Sequence, residues 1–238
     1  MSFPTLPGMH GYPSAYPPGA FLDALRGSGW EPGTVPGSVI FTYARFELFL
    51  SAHPETYTPN HMLGPGPGRF FLVNATDGRV GVNCPGIGTA GGFQADQEPG
   101  DLVLLTSAVR DEGTSYHYLP AGADAVPDPD LTARYGAALE TAGLAYTTGA
   151  TVTTDAPYRT TPEEIRHHRA RGARSVEMEA AALFALGQVR RLPVCSAVVI
   201  DAVPDQAGTA FRLDAARAGE VLRRLFATTI EFLAAARQ

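Results

Sequence analysis

Glu177, Met178 and Glu179 stand directly ahead of the small and apolar run Ala180–Leu186. Carboxylates accept hydrogen bonds from vicinal hydroxyls, and a thioether beside them offers a soft apolar surface, so this trio suits a sugar. Ala180, Leu183, Phe184 and Gly187 fall at i, i+3, i+4 and i+7, the spacing of one inward helix face. Glu177 and Glu179 would lie on nearly opposite sides of a helix, so they can act together only if the chain is just entering it. The spacing therefore predicts a helix that begins at this point, with the three side chains along one edge of a cleft. Read locally, the same acids also serve as solvated carboxylates favouring the positive end of a helix.

Asp201 follows the apolar run Val194–Ile200, which reads as a buried strand from Pro193. In open α/β sheets ligands gather at the carboxyl ends of strands, where this acid is expected; the alternative is a turn or cap aspartate ahead of Pro204-Asp205. Thr89 sits in Gly86-Ile-Gly-Thr-Ala-Gly-Gly92, where glycines let backbone amides approach an anion closely, though such clusters also form plain turns. His167 and His168 are adjacent on a charged helix and do not share a face, which excludes a metal pair. There is no Gly-x-Ser-x-Gly elbow, and the glycine run lacks the spacing of a dinucleotide fingerprint.

The 238 residues suffice for one ordinary domain with a full core. The net charge of −6 argues against a nucleic-acid-binding surface. All 18 basic residues are arginine, which excludes lysine Schiff bases and a Walker A loop. Cys84 and Cys195 lie in apolar stretches and read as reduced core residues. No leader-like segment or long apolar run appears, so the expectation is a soluble, cytoplasmic protein without membrane contact.

The elements follow from local signals. Residues 1–37, rich in Pro and Gly, read as an arm with a short helix near Phe21–Arg26; residues 38–238 read as the α/β domain. Strands are expected at Ser38–Tyr43, Arg69–Asn74, Arg79–Asn83, Asp101–Ser107 and Ala145–Thr153, with a helix at Ala44–Ala52 and a turn at Thr76–Gly78. Asp128 should cap a helix closed near Gly143, and Thr161-Pro-Glu-Glu one reaching Gly172. The Glu-Met-Glu helix runs to about Val189, and a last amphipathic helix covers Leu213–Ala236. Gly64–Gly68 reads as a surface loop.

Val-Glu-Met-Glu followed by small residues resembles the ribose-binding signature of the nucleoside phosphorylase and nucleosidase superfamily. Gly88–Gln94 leading to Gly100-Asp-Leu-Val, Ser107–Tyr118 and Thr153–Arg159 resemble further segments of that family, in its order. Ser107–Tyr118 is similar to the uridine phosphorylase branch in particular. The resemblance implies a three-layer αβα fold with a mixed central sheet. It also implies a segment missing near residue 88: relatives carry about one helix and one strand between two glycine turns that run together here. That lost strand ends in the family's principal phosphate arginine.

What the resemblance implies for function is a pentosyltransferase that cleaves the N-glycosidic bond of a purine nucleoside or uridine with inorganic phosphate as co-substrate, and with no cofactor or metal. Glu179 would hold the ribose 2′- and 3′-hydroxyls, with Met178 against the sugar and Glu177 beside it. His10 would reach the 5′-hydroxyl across a subunit boundary, and Thr89 and Arg45 would bind phosphate. Tyr158 would stack the base, and Arg159 or Asp201 would read or protonate it. Asp201 points to purines, Arg159 and the Ser107–Tyr118 segment to uridine. A phosphate-independent nucleosidase and an inactive nucleoside-binding paralogue are the alternatives. The family implies a homo-oligomer, dimer or hexamer.

Overall fold

The computed structural model describes residues 23, 26–27, 38–42, 55–59, 70–73, 80–204 and 211–235. His10, Arg45, the helix expected at Ala44–Ala52, the loop Gly64–Gly68, the turn at Thr76–Gly78 and most of the arm lie outside these residues. The chain forms two compact units, a smaller one that includes residues 11–87 and a larger one that includes residues 88–228. In the smaller, β1 (Ser38–Thr42), β2 (Tyr57–Pro59), β3 (Phe70–Val73) and β4 (Val80–Ile87) form a sheet in the order β1-β4-β3-β2. β1 runs parallel to β4, and β3 pairs antiparallel with both β4 and β2.

The larger unit is built on a mixed sheet of β5 (Thr89–Gly92), β6 (Leu102–Asp111), β7 (Thr147–Thr154), β8 (Ala173–Glu177), β9 (Ala197–Pro204) and β10 (Phe211–Leu213). The strand order is β10-β9-β5-β8-β7-β6, and an additional antiparallel pairing of β6 with β9 curls the sheet back on itself. β6, β7 and β8 are mutually parallel, whereas β5 runs antiparallel to β8 and parallel to β9. The carboxyl ends of β6, β7 and β8 therefore share one rim with the amino ends of β5 and β9.

Three of these strands escape a reading by hydrophobic pattern. β5 is a strand although its sequence is Thr-Ala-Gly-Gly, because backbone and side chains approach it closely. A Cβ on Gly91 would stand 3.0 Å from Val176, and one on Gly92 3.0 Å from Ile200. β8 alternates buried and half-buried positions, but of the buried residues Ala173, Ser175 and Glu177 only the alanine is apolar. β10 ends on Leu213, the residue at which the last helix was expected to begin, and that helix starts two residues later at Ala215. β4 likewise runs through Cys84-Pro-Gly-Ile87, where a glycine turn was expected, and only Gly88 separates it from β5.

The helices start where their caps dictate. α1 (Pro129–Thr141) begins at Asp128, whose Oδ1 accepts from Leu131 N at 2.7 Å. It ends on Gly143 at φ 68°, with Leu144 N donating to Leu139 O and Gly143 N to Glu140 O, the paired bonds of a glycine-terminated helix. α2 (Pro162–Ala170) opens with a reciprocal capping box between Thr161 and Glu164. α3 spans Ala180–Arg190 and α4 Ala215–Ala235. α3 packs Ala180, Ala181 and Phe184 on the sheet face of Ala90, Leu105, Val198 and Ile200. α2 sets Ile165 on the opposite face, with Phe93, Val152 and Val176. Helices on both faces of a mixed sheet make the three-layer αβα arrangement.

Candidate active site

The Glu-Met-Glu segment is a strand-to-helix corner. β8 ends on Glu177 and α3 starts at Ala180, so the two glutamates are not both helical, as the spacing requires. Glu177 points into the layer between sheet and α3 and is 7% exposed. Its Oε1 accepts from Thr153 Oγ1 at 2.5 Å, and its Oε2 accepts from the amides of Glu179 at 2.8 Å and Ala180 at 2.7 Å. Thr153 Oγ1 also accepts from Ala181 N at 3.0 Å. A buried carboxylate and a strand hydroxyl thus cover amides that a helix start leaves without intrahelical partners. Burial pushes the Glu177 carboxyl above the ordinary range, opposed by the bonds from Thr153 and the two amides.

Glu179 is the N-cap residue of α3, yet its side chain makes no capping bond. It is half-buried, and among the described residues its carboxylate accepts only a long 3.3 Å bond, from Met178 N to Oε2. Burial first, and then the nearby Glu177 charge, hold its carboxyl above the usual range. Met178 is 46% exposed beside it. The corner therefore divides its labour: Glu177 faces inward and is saturated, while Glu179 and Met178 face outward with capacity to spare.

Strand register shows what shares this rim. Gly91 pairs with Val176, so extending the antiparallel register by two residues brings Thr89, the first residue of β5, level with Met178. Asp201 departs from the expected position. The strand expected over Pro193–Ile200 lies instead at Ala197–Pro204, with Asp201 inside it. Ala90 pairs with Ile200 and Gly91 with Ala202, which leaves Asp201 as the extra residue of a β-bulge. β9 points its carboxyl end away from the rim of Glu177, so Asp201 sits beside Gly91, deeper than Thr89. Bulges re-aim side chains and recur beside active sites, which a linear reading of an apolar run does not register.

A cleft of about 200 Å³ opens on the other face, between the sheet, the turn Pro157–Arg159 and α2. Val152, Val176 and Phe93 form its apolar wall, and Asp111, Thr154, Arg159, Thr160, Glu164 and His168 add polar groups. Val176 lies two residues before Met178, so cleft and corner are consecutive along β8. His168 stacks parallel to Phe93, with ring centroids 6.1 Å apart and planes at 4°. Burial lowers its pKa most, with the His167 charge adding to the effect, which favours the neutral imidazole. Tyr158 is fully exposed and does not line the cleft, whereas Arg159, its neighbour in the same turn, does.

The Ser107–Tyr118 segment has a structural account. Arg110 donates to Ser115 Oγ and to the carbonyls of Leu119, Pro120 and Ala123, each at 2.8–2.9 Å, and lies 4.0 Å over the Tyr116 ring. Glu112, 5% exposed, accepts from both the amide and the hydroxyl of Ser115. The arginine that follows β-strand residue Val109 thus closes its own loop. Among the described residues no cluster of His, Cys, Asp and Glu is arranged to hold a metal ion.

The structure therefore brings Glu177, Met178, Glu179 and Thr89 to one rim, sets Asp201 in a neighbouring bulge, and places Arg159 in the adjoining cleft. Thr153, Glu164 and His168 were not singled out as site residues from sequence. The alternation of Thr151 and Thr153 on one face of β7 is the signal that could have pointed to the first.

Similar proteins come from both sequence and structure. A guanosine phosphorylase of Halorubrum lacusprofundi is 35% identical over 127 residues, covering 52% of each chain. A uridine phosphorylase of Treponema pallidum is 37% identical over 117 residues, covering 44% of this chain and 45% of its own. The chain spans about half the length of the curated relatives it matches. Among solved structures, a purine nucleoside phosphorylase from Toxoplasma gondii in complex with immucillin-H superposes with a TM-score of 0.70. That match covers 85% of this chain and 91% of the other at 18% identity, a likeness of fold. The model of the phosphorylase superfamily matches residues 86–233, more than half of the chain. By that match, and with the αβα sheet and its Glu-Met-Glu corner in place, this chain belongs to the phosphorylase superfamily.

Proposed function

We propose that the chain is a nucleoside phosphorylase, which cleaves the N-glycosidic bond of a purine nucleoside or of uridine with inorganic phosphate to give free base and ribose 1-phosphate. The observation that carries this reading is the state of Glu179. It is a half-buried carboxylate with no capping bond of its own, beside an exposed methionine and behind a saturated glutamate. Two vicinal ribose hydroxyls would supply the donors it lacks, and Met178 would pack against the sugar. Glu177 takes a positioning part: by holding the amides of Glu179 and Ala180 it fixes the direction in which Glu179 leaves the backbone. The names of the relatives support the reaction class, since they are guanosine and uridine phosphorylases.

Thr89 begins β5 level with Met178 and is suited to hold phosphate on the C1′ side of the sugar, with Arg45 as a second anion ligand. As the bond to the base loosens, C1′ gains oxocarbenium character, phosphate oxygen attacks it, and the base leaves with the bonding electrons. Donors and charges preorganised around that state lower its energy without a covalent enzyme intermediate. Asp201 would carry the proton a purine takes at N7, because a neutral base leaves more easily than an anion. Arg159 would read the base from the cleft and Tyr158 would stack on it, with His10 at the 5′-hydroxyl. The same reading takes the enzyme as a cytoplasmic homo-oligomer, dimer or hexamer, that needs no cofactor or metal. Among the described residues no helix is long and apolar enough to cross a membrane.

One observation favours a second reading. Gly86 and Ile87 precede Gly88-Thr89 where the family resemblance implies an arginine that binds phosphate. A nucleosidase, with water in place of phosphate, would need no such arginine. Incubating the protein with inosine, guanosine, adenosine and uridine, with and without phosphate, separates the two. Base released only with phosphate is the expected result; release at equal rates without phosphate would transfer the assignment to a nucleosidase. No release from folded protein would leave an inactive nucleoside binder.

A further inference from the structure

β7 and β8 set a row of polar side chains on the face that α3 covers. Thr151 pairs with Ser175 and Thr153 with Glu177 across the parallel register, and all four are buried. A hydroxyl enclosed in such a layer is costly unless it is bonded, and valine would fill the same space without that cost. At Thr153 the hydroxyl is bonded twice. It donates to Glu177 Oε1 at 2.5 Å and accepts from Ala181 N at 3.0 Å, so one oxygen atom ties β7 to the end of β8 and to the first turn of α3. The Thr151 hydroxyl stands 3.5 Å from the same carboxylate oxygen and closer, at 3.2 Å, to Ser175 O. Thr153 is therefore the near contact that sets how the Glu177 carboxylate stands. The other oxygen of that carboxylate holds the amides of Glu179 and Ala180.

We propose that Thr153 is a positioning residue of the sugar site: through Glu177 it fixes the direction in which Glu179 meets the ribose hydroxyls, without touching the nucleoside itself. The inference rests on the nucleoside reading given above and adds to that site a residue from a neighbouring strand. Thr153 is 0% exposed and offers no surface to a ligand, so any effect on turnover runs through the groups it bonds. The terminal torsion of a glutamate is broad, and its bonding partners are what hold the carboxylate at one angle. With valine at this position, Glu177 Oε1 loses its nearest donor and the Ala181 amide loses its acceptor. Glu179 then keeps its charge and loses its aim. A misplacement of about 1 Å in such a site costs on the order of 10²-fold.

The test is a double-mutant cycle of Thr153→Val with Glu179→Ala, read as kcat/KM for inosine from the release of free base. T153V should lose about tenfold or more in the wild-type background and less than about twofold in E179A, because residues acting as one unit are not additive. Thr153→Ser keeps the hydroxyl and should return to within about threefold of the wild type. 2′,3′-Dideoxyinosine offers Glu179 no hydroxyl, so T153V should slow its cleavage by less than about twofold; this carries the comparison if E179A is too slow to read. A merely loosened core would slow both nucleosides alike. Equal losses in both backgrounds, equal losses on both nucleosides, or serine as poor as valine would overturn the proposal. Thermal unfolding checks that each variant is folded, and Thr153→Cys, a weaker donor, takes the place of T153V if the valine variant does not fold. Base release independent of phosphate would overturn the phosphorylase reading and leave this cycle readable. If no base is released, calorimetry with inosine reads the same cycle as affinity. Binding weakened by T153V in the wild type and not in E179A would support the proposal; binding unchanged by T153V, or absent in the wild type, would overturn it.

Discussion

Two helices of the larger unit have a glutamate carboxylate bonded at their start, and the two starts solve the same problem in opposite ways. At α3, Glu177 comes from the preceding strand, is buried, and occupies both carboxylate oxygens with Thr153 and two amides. At α2, Glu164 comes from the helix itself, lies at the surface, and occupies one oxygen with Thr161. Burial raises the carboxyl of Glu177, while hydrogen bonds from Thr161 lower that of Glu164. The saturated glutamate can only position its neighbours, whereas the half-used one keeps an acceptor free among the described residues. Capacity left over, more than residue type, separates the two carboxylates.

The largest way to break this contrast is Glu177→Ala. It leaves two amides and Thr153 without their partner inside the protein and should cost about 3 kcal/mol in urea unfolding. A loss below about 1 kcal/mol would mean that water replaces the carboxylate and that α3 is not anchored there. Thr153→Val should cost about 1–2 kcal/mol by freeing Glu177 Oε1 and Ala181 N, and Thr153→Ser should recover most of it. Because Glu179 follows from the same corner, T153V should also raise KM for nucleoside more than it lowers kcat. Thr161→Ala at the exposed start should cost about 1 kcal/mol, the ordinary loss of a capping residue.

The smallest effect sharpens the comparison through pH. Glu177 keeps its proton longer in the folded state than in the unfolded chain. Its contribution to stability therefore falls as pH rises from the ordinary glutamate value of about 4.3 through its raised folded value. Glu164 does the reverse: its contribution is full above the ordinary value and is lost as pH falls through its lowered folded value. Stability measured against pH in E177Q should lack the first slope, and in E164Q the second. Equal pH profiles for the two variants would erase the distinction drawn between the helix starts.

The sequence made some of this plain and concealed the rest for identifiable reasons. The Thr161 capping box, the Asp128 cap and the glycine stop at Gly143 depend on residues within one helical turn, and local reading finds them. The inward role of Glu177 depends on Thr153, 24 residues earlier on a neighbouring strand, so no local pattern could show it. β5 hid behind its glycines, which are there to let Val176 and Ile200 approach. Asp201 was legible as an acid near a strand end but not as a bulge residue, because a bulge is a property of the pairing with β5. The family resemblance found the Glu-Met-Glu corner, yet the division between its two glutamates came only from the bonds they make.

The most direct test of the central reading is ³¹P NMR of the protein with inosine and inorganic phosphate, alongside the Glu179→Ala variant. The account predicts a new resonance from ribose 1-phosphate that grows in step with free hypoxanthine, and its near disappearance in E179A. Hypoxanthine accumulating with no sugar phosphate resonance, or an undiminished resonance in E179A, would contradict it.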